Sequence, residues 1–128
     1  MILLLDSSTP TCKITFVEDG QSKSYEWKAD RELAKGLLGW LKDRLGDEGG
    51  QWSDISGLGV FQGPGSFTGL RIGLTVLNTL ADTLSIPIVG TQGDDWRDEA
   101  ITRLQSGEND KIALPYYGNG ANITIPRK

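Results

Sequence analysis

The segment from residue 61 to residue 73 reads FQGPGSFTGLRIG and joins two apolar runs. Gly63, Pro64 and Gly65 interrupt regular structure there, because glycine reaches backbone angles that other residues avoid and proline restricts φ. Ser66 is a residue type preferred at a helix N-cap, and apolar residues with helical spacing follow it. The segment therefore predicts a strand, a tight turn and a helix in direct succession.

The rest of the chain predicts the element order βββαβαβ. Three strand-like runs at residues 1–5, 12–17 and 21–27 indicate an antiparallel meander. A helix is predicted over Arg31–Leu45, with Asp30 as its N-cap and Gly46 as its end. A strand over 55–61, a helix over Ser66–Leu84 and a strand over 86–89 follow. The chain ends in a short third helix over 94–105 and a tail with strand-like residues 122–125. This order predicts an α/β fold with a mixed five-stranded sheet, the ribonuclease-H-like arrangement that also underlies actin-like ATPase lobes.

Composition excludes several kinds of chemistry. The 128 residues suit one domain, and they include no histidine and one cysteine, Cys12. Nucleophile systems built on histidine, zinc sites and an internal disulfide are therefore excluded. A net charge of −4 argues against unaided nucleic-acid binding. We found neither a signal peptide nor a membrane span, and expect a cytoplasmic protein.

Two turns, one rich in glycine and one that begins with an aspartate, can each be interpreted either as a structural turn or as a ligand-binding site. Residues 63–69 offer a helix N-terminus to a phosphate, but the segment contains no lysine, so a turn that aims the helix is favoured. Asp6 begins the turn DSST and resembles the start of a phosphate hairpin or the first carboxylate of a two-metal site. Ser8 would crowd a phosphate there, and the strand before the glycine turn ends in Gln62 rather than in a carboxylate.

The second helix has two apolar stripes, and such a helix requires cover on two sides. A small single-layer sheet covers only one of them, so part of this helix is expected to pack elsewhere. One stripe is Phe67, Leu70, Leu74, Leu77, Ala81 and Leu84, and the other is Ile72, Val76, Thr79 and Thr83.

The string GPGSFTGLRIG at residues 63–73 is long and specific, and it resembles the signature of the bacterial TsaB (YeaZ) family. ILLLDSST at residues 2–9, the helix Arg31–Leu45 and IPIVG at residues 86–90 are similar to the family in the same order. The resemblance covers residues 1–91. PYY at 115–117 and IPRK at 125–128 also resemble the family's C-terminal tail.

The resemblance implies a non-catalytic subunit, with no cofactor or metal of its own, in the synthesis of threonylcarbamoyladenosine beside the anticodon of tRNAs. Its implied partner is the transferase TsaD, which the ATPase TsaE joins; pairing with a second copy is also implied, and tRNA is contacted only indirectly. Docking would join the two helices to two helices of the partner. The residues expected to bind the partner are Leu33, Leu37, Trp40, Leu41, Phe67, Gly69, Leu70, Arg71, Gly73, Leu74 and Leu77.

The chain departs from the family after residue 91. Family members have a second lobe of similar fold, whereas here residues 92–107 stand in its place before the tail. We therefore expect residues 1–91 to form the ribonuclease-H-like lobe and residues 92–128 to form a remnant helix and tail. The alternative function is a small actin-like ATPase or carboxylate-metal hydrolase that acts alone through Asp6 and residues 63–69.

Overall fold

Five strands form one mixed sheet in the computed structural model, which describes residues 1–116. The strands are β1 (Ile2–Asp6), β2 (Thr11–Glu18), β3 (Gln21–Lys28), β4 (Gly57–Phe61) and β5 (Ile88–Thr91). β1 is antiparallel to β2 and parallel to β4, and the order across the sheet is β3-β2-β1-β4-β5. The predicted strand order along the chain is thus confirmed.

Helices cover both faces of this sheet. They are α1 (Leu33–Asp47), α2 (Phe67–Leu84) and α3 (Trp96–Gln105). α1 and α2 lie side by side on one face, where residues such as Leu3, Leu5 and Leu58 form the main core with them. α3 lies on the other face, and its Trp96 and Ala100 pack against Leu4 and Val89. The continuous apolar run of β1 follows from this double cover.

The ends of α1 differ from the prediction. Asp30 adopts a left-handed φ of 47° in a 3-10 turn before the helix, so it does not cap α1. At the other end, the helix continues through Gly46 to Asp47, and Gly49 takes the left-handed φ of 73°. The Gly50 N–H donates to the Leu45 carbonyl at 3.0 Å, which closes the turn around Gly49. The predicted cap and the predicted stop at Gly46 were therefore wrong.

α3 is an integral part of the lobe. A Cβ at Gly59 of β4 would lie 2.8 Å from the Ala100 Cβ, so the absence of that side chain lets α3 approach the strand closely. The following residues cover the open edge of β5, where the Gly90 N–H donates to the Asp110 carboxylate at 2.9 Å. The division of the chain at residue 91 stays a prediction about its relation to longer proteins.

The predicted strand-like residues 122–125 and the family-like residues 117 and 125–128 lie outside the described residues. Within residues 1–116, no helix has both the length and the apolar character that a bilayer crossing requires.

Candidate partner-binding surface

The glycine turn after β4 packs directly on the turn between β1 and β2. The Ser66 N–H donates to the Ser8 carbonyl at 2.7 Å, and a Cβ at Gly65 would lie 2.5 Å from the Ser8 Cβ. Gly63 has a φ of 113°, which a residue with a side chain rarely adopts. The Ser66 hydroxyl caps α2 by accepting the Gly69 N–H at 3.2 Å. The turn therefore aims α2, as its structural interpretation predicted.

Gly69 and Gly73 bring α2 close to the same chain. The Ser7 hydroxyl donates to the Gly69 carbonyl at 2.8 Å. A Cβ at either glycine would collide with Ser7, and one at Gly73 would also lie 3.1 Å from the Leu5 side chain. The space beside both glycines is thus occupied by β1 and its turn, and contact of Gly69 and Gly73 with a partner stays a prediction.

Asp6 is engaged in the local turn at the end of β1. Its carboxylate accepts the Ser8 N–H at 2.9 Å and the Ser8 hydroxyl at 2.6 Å. At the end of β4, Gln62 donates to the Leu114 carbonyl at 2.9 Å and accepts from Gln92 at 3.2 Å. Residues 1–116 contain no cluster of three or more side chains of the kinds that ligate metals. At the carboxyl ends of β1 and β4, Asp6 and Gln62 thus form hydrogen bonds to other groups of the same chain.

The inner rows of α1 and α2 belong to the core of the lobe. Of the eleven side chains or glycines expected at a partner, seven are buried beneath the helices: Leu33, Leu37, Leu41, Leu70, Gly73, Leu74 and Leu77. Trp40 is half-buried and packs against Trp27 of β3, with ring centroids 5.3 Å apart and ring planes inclined by 37°. These residues hold α1 and α2 on the sheet, and their contact with a partner stays a prediction.

Phe67 and Arg71 lie together on the side of α2 that faces away from α1. Phe67 is 54% exposed, and the Arg71 guanidinium lies 5.1 Å from the centre of its ring. Arg71 also borders a small groove with Leu114 and Pro115 of the C-terminal segment. These two residues therefore lie on the flank of α2 that borders the C-terminal segment, where Thr75 lines the same groove.

The outer surface between the two helices is apolar or uncharged along its centre. Leu38 of α1 is 50% exposed, and Ile72 and Val76 of α2 are only partly buried. We call this surface the α1–α2 face and define it by Lys35, Leu38, Gly39, Lys42, Ile72, Thr75, Val76, Thr79 and Thr83. Lys35 and Lys42 are its charged members, and the exposed Asp82 of α2, seven residues after Thr75, lies at its edge. Depletion of charge from the centre of a surface is typical of protein–protein interfaces.

The sequence did contain a signal for this face. Ile72, Val76, Thr79 and Thr83 form the second stripe of α2, which required cover beyond the sheet. The α2 residues expected at the partner lie mostly on the leucine-rich stripe, and that stripe packs on the chain's own sheet. A leucine-rich stripe is the stronger candidate for a core, so the weaker stripe was the better candidate for an interface.

The perturbed ionisable groups lie away from the α1–α2 face. Burial raises the pKa of the Cys12 thiol to about 12, and the Asp6 carboxylate adds to the shift. The hydrogen bond from the Tyr25 hydroxyl to the Glu48 carboxylate raises the pKa of Tyr25 to about 12. Hydrogen bonds to Asp110 and Glu108 raise the pKa of Arg103. None of these groups changes its charge near neutral pH.

Comparison with known proteins places this architecture in a family. A family model described as "TsaD: tRNA N6-adenosine threonylcarbamoyltransferase" matches residues 27–92, about half of the chain. The tRNA threonylcarbamoyladenosine biosynthesis protein TsaB of Escherichia coli is 30% identical over 91% of this chain and 53% of its own length. The TsaB of Haemophilus influenzae is 28% identical over 88% of this chain and 48% of its own length.

Among solved structures, YeaZ from Pseudomonas aeruginosa superposes with a TM-score of 0.67 and 29% identity, over 77% of this chain and 49% of that one. The chain belongs to the TsaB (YeaZ) family. The predicted ribonuclease-H-like, actin-like fold is confirmed by this neighbour. The chain spans about half the length of the curated TsaB relatives that it matches.

Proposed function

We propose that this TsaB-family chain is a non-catalytic subunit that binds the transferase TsaD and activates it in the synthesis of tRNA threonylcarbamoyladenosine. The observation that carries the proposal is the α1–α2 face, whose exposed Leu38 and partly buried Ile72 and Val76 are not fully covered by residues 1–116. Names of the relatives supply the pathway, since the TsaB proteins are called biosynthesis proteins for this modified nucleoside.

Pairing through this face completes the second side of α2. Two helices of the partner would lie against α1 and α2 and form a four-helix bundle, in which the threonines of α2 allow close packing. Burial of the remaining exposed surface of Leu38, Ile72 and Val76 would contribute about 1 kcal/mol each. Activation then follows if the partner's helices are ordered only in the complex, because binding favours the state in which they are ordered.

A non-catalytic role is supported by the closed ends of β1 and β4. Ser8 occupies the place where a phosphate would approach, and its backbone is bonded to Ser66. We expect isothermal calorimetry of this chain with ATP and magnesium to show no binding heat. Tight nucleotide binding by the chain alone would contradict this part of the proposal and favour the ATPase alternative.

The assembly is proposed to act in the cytoplasm, with TsaE joining the pair and with tRNA contacting this chain only indirectly. These roles rest on the family and on no particular contact of the described residues.

The proposal is tested by mixing the chain with TsaD from the same organism and measuring the mass by light scattering. We expect a heterodimer, and Thr79→Arg should abolish it, because an arginine would project into the centre of the α1–α2 face. Thr102→Arg is the matched control, since Thr102 is an exposed helical threonine on α3. Loss of pairing in both variants, or in neither, would contradict the proposed face, provided that circular dichroism shows both to be folded.

A further inference from the structure

The last residues that the structure describes turn two large apolar side chains outwards. Ile112 and Leu114 are each 64% exposed, more than any other large apolar side chain in residues 1–116. Ala113 between them is buried. Side chains therefore alternate here between the lobe and the solvent, and the two larger ones lie together on the outside. We call this pair, Ile112 and Leu114, the 112–114 patch.

Hydrogen bonds to the lobe fix this orientation. Asn78 of α2 accepts the Ala113 N–H at 2.8 Å and donates to the Ala113 carbonyl at 2.9 Å. The Tyr116 N–H donates to the Gln62 carbonyl at 2.8 Å. Because the chain is held at Ala113 and again at Tyr116, it cannot turn the 112–114 patch inwards without breaking bonds that would have to be replaced. Residues 1–116 therefore leave the patch without cover.

The part of the chain beyond the described residues carries a pattern that matches this patch. Residues 117–128 contain Asn119-Gly120, the pair that most strongly favours a tight reversal between two extended segments. Ile123 and Ile125 follow at alternate positions, so an extended chain carries both on one side. A reversal at the asparagine and glycine directs these isoleucines back along the chain, towards the 112–114 patch.

We propose that residues 117–128 fold back and cover the 112–114 patch with Ile123 and Ile125. The six residues between Tyr116 and Ile123 span at most about 25 Å, so the isoleucines stay close to the patch whatever their conformation. A segment tethered this closely has an effective concentration in the millimolar range, and contacts too weak to hold a separate protein are sufficient for it.

The fold-back would extend the lobe next to the surface proposed for the partner. Leu114 and Thr75 line one groove, and Thr75 also belongs to the α1–α2 face. The inference nevertheless concerns the isolated chain and goes beyond the proposed function. Its tests contain no TsaD, so their outcome is independent of whether the chain pairs with the transferase.

The first test compares two double variants of the full chain. I123D I125D places charges where the proposal has apolar contacts, and N122D T124D adds the same charge at the alternate positions of the same segment. We expect I123D I125D to lower the midpoint of thermal unfolding by about 4 °C, and N122D T124D to change it by less than about 1 °C. Equal midpoints for the two variants would overturn the proposal.

A double-mutant cycle identifies the surface that the isoleucines contact. Leu114→Ser should lower the midpoint of the natural chain and have no further effect in the I123D I125D background, because its contacts are already lost there. Leu38→Ser is the control, since Leu38 is similarly exposed but lies on α1. Its effect should be the same in both backgrounds. An equal effect of Leu114→Ser in both backgrounds would show that the isoleucines do not cover the patch.

The dependence on protein concentration distinguishes the chain's own segment from a second copy. The midpoint difference between the natural chain and I123D I125D should be the same at two concentrations about fortyfold apart, because a contact within one chain does not depend on mass action. A difference that grows with concentration would mean that the isoleucines bind another copy, and would contradict the fold-back.

Discussion

α2 and α3 pack on opposite faces of the same sheet, and they differ on their outer sides. α3 exposes Asp98, Glu99 and Gln105, as expected for a helix whose outer side stays in water. α2 instead exposes threonines and leaves Ile72 and Val76 only partly buried. Both helices have a complete inner side, so the contrast arises from the outer sides alone. It distinguishes a helix that completes the lobe from a helix suited to a further layer of protein.

The inner sides of the two helices are alike in how they reach the sheet. Gly73 lets α2 lie against Ser7 and Leu5, and Gly59 of β4 lets α3 lie against the strand through Ala100. In each case a missing side chain permits backbone to approach closely. Changes at these positions are therefore expected to affect folding, whereas changes on the outer side of α2 are expected to affect pairing.

The largest effect on the free energy of unfolding is expected at the side of α2 that packs on the sheet. Gly73→Val would place a branched side chain against Ser7 and Leu5 of β1 and its turn. We expect a loss of about 3 kcal/mol in the free energy of unfolding, since β1 is at the centre of the sheet. Urea denaturation followed by circular dichroism measures this change. A loss below about 1 kcal/mol would mean that α2 shifts easily, and would weaken the contrast between inner and outer sides.

A smaller loss in the free energy of unfolding is expected at Gly59, where α3 packs against β4. Gly59→Ala adds a Cβ that would lie 2.6 Å from the Leu4 side chain and 2.8 Å from the Ala100 Cβ. The Leu4 side chain is flexible, so we expect a loss of about 2 kcal/mol from the displacement of α3. Thermal unfolding of the variant and of the natural chain provides the comparison. An unchanged midpoint would show that α3 is only loosely held to the lobe.

The outer side of α1 is expected to respond in the opposite direction. A Cβ at Gly39 would have no neighbour within 4 Å, so Gly39→Ala should stabilise the isolated chain by about 1 kcal/mol through helix propensity alone. Gly36→Ala is the matched control one turn away, where a Cβ would lie 2.7 Å from the Trp27 ring. It should destabilise the chain in the same urea experiment. Destabilisation by both changes would indicate that the outer side is packed after all.

The smallest effect on stability is expected from Tyr25 of β3, which contacts Glu48 at the end of α1. The pKa of Tyr25 rises from 10.0 to about 12 because its hydroxyl donates to Glu48. The folded state therefore keeps this tyrosine protonated more strongly than the unfolded state does, and the resulting stability is complete below pH 10 and is lost as the pH rises through about 12.

Tyr25→Phe removes this contribution. The denaturation midpoint of the natural chain should fall more between about pH 9 and about pH 11 than that of the variant. Parallel falls in the two proteins would show that the hydrogen bond to Glu48 is not retained in solution.

Local sequence was sufficient for most of the fold. The meander, the strand, turn and helix at residues 57–84 and the cap at Ser66 follow from short-range rules on turn residues and periodicity. The errors at Asp30 and Gly46 are local as well, but their outcome depended on contacts. The Asp30 N–H donates to the Pro10 carbonyl, which lies twenty residues earlier, and this bond holds the aspartate before the helix.

By itself, the sequence determined that α2 has two apolar stripes, because periodicity along a helix is a property of the chain alone. Only the tertiary structure decided which stripe is covered. Ser7 lies next to Gly69 and Gly73 because β1 and β4 are parallel neighbours, and this pairing brings together residues more than sixty positions apart. Which residue packs against a glycine depends on contacts between distant parts of the chain, and no local sequence pattern predicts it.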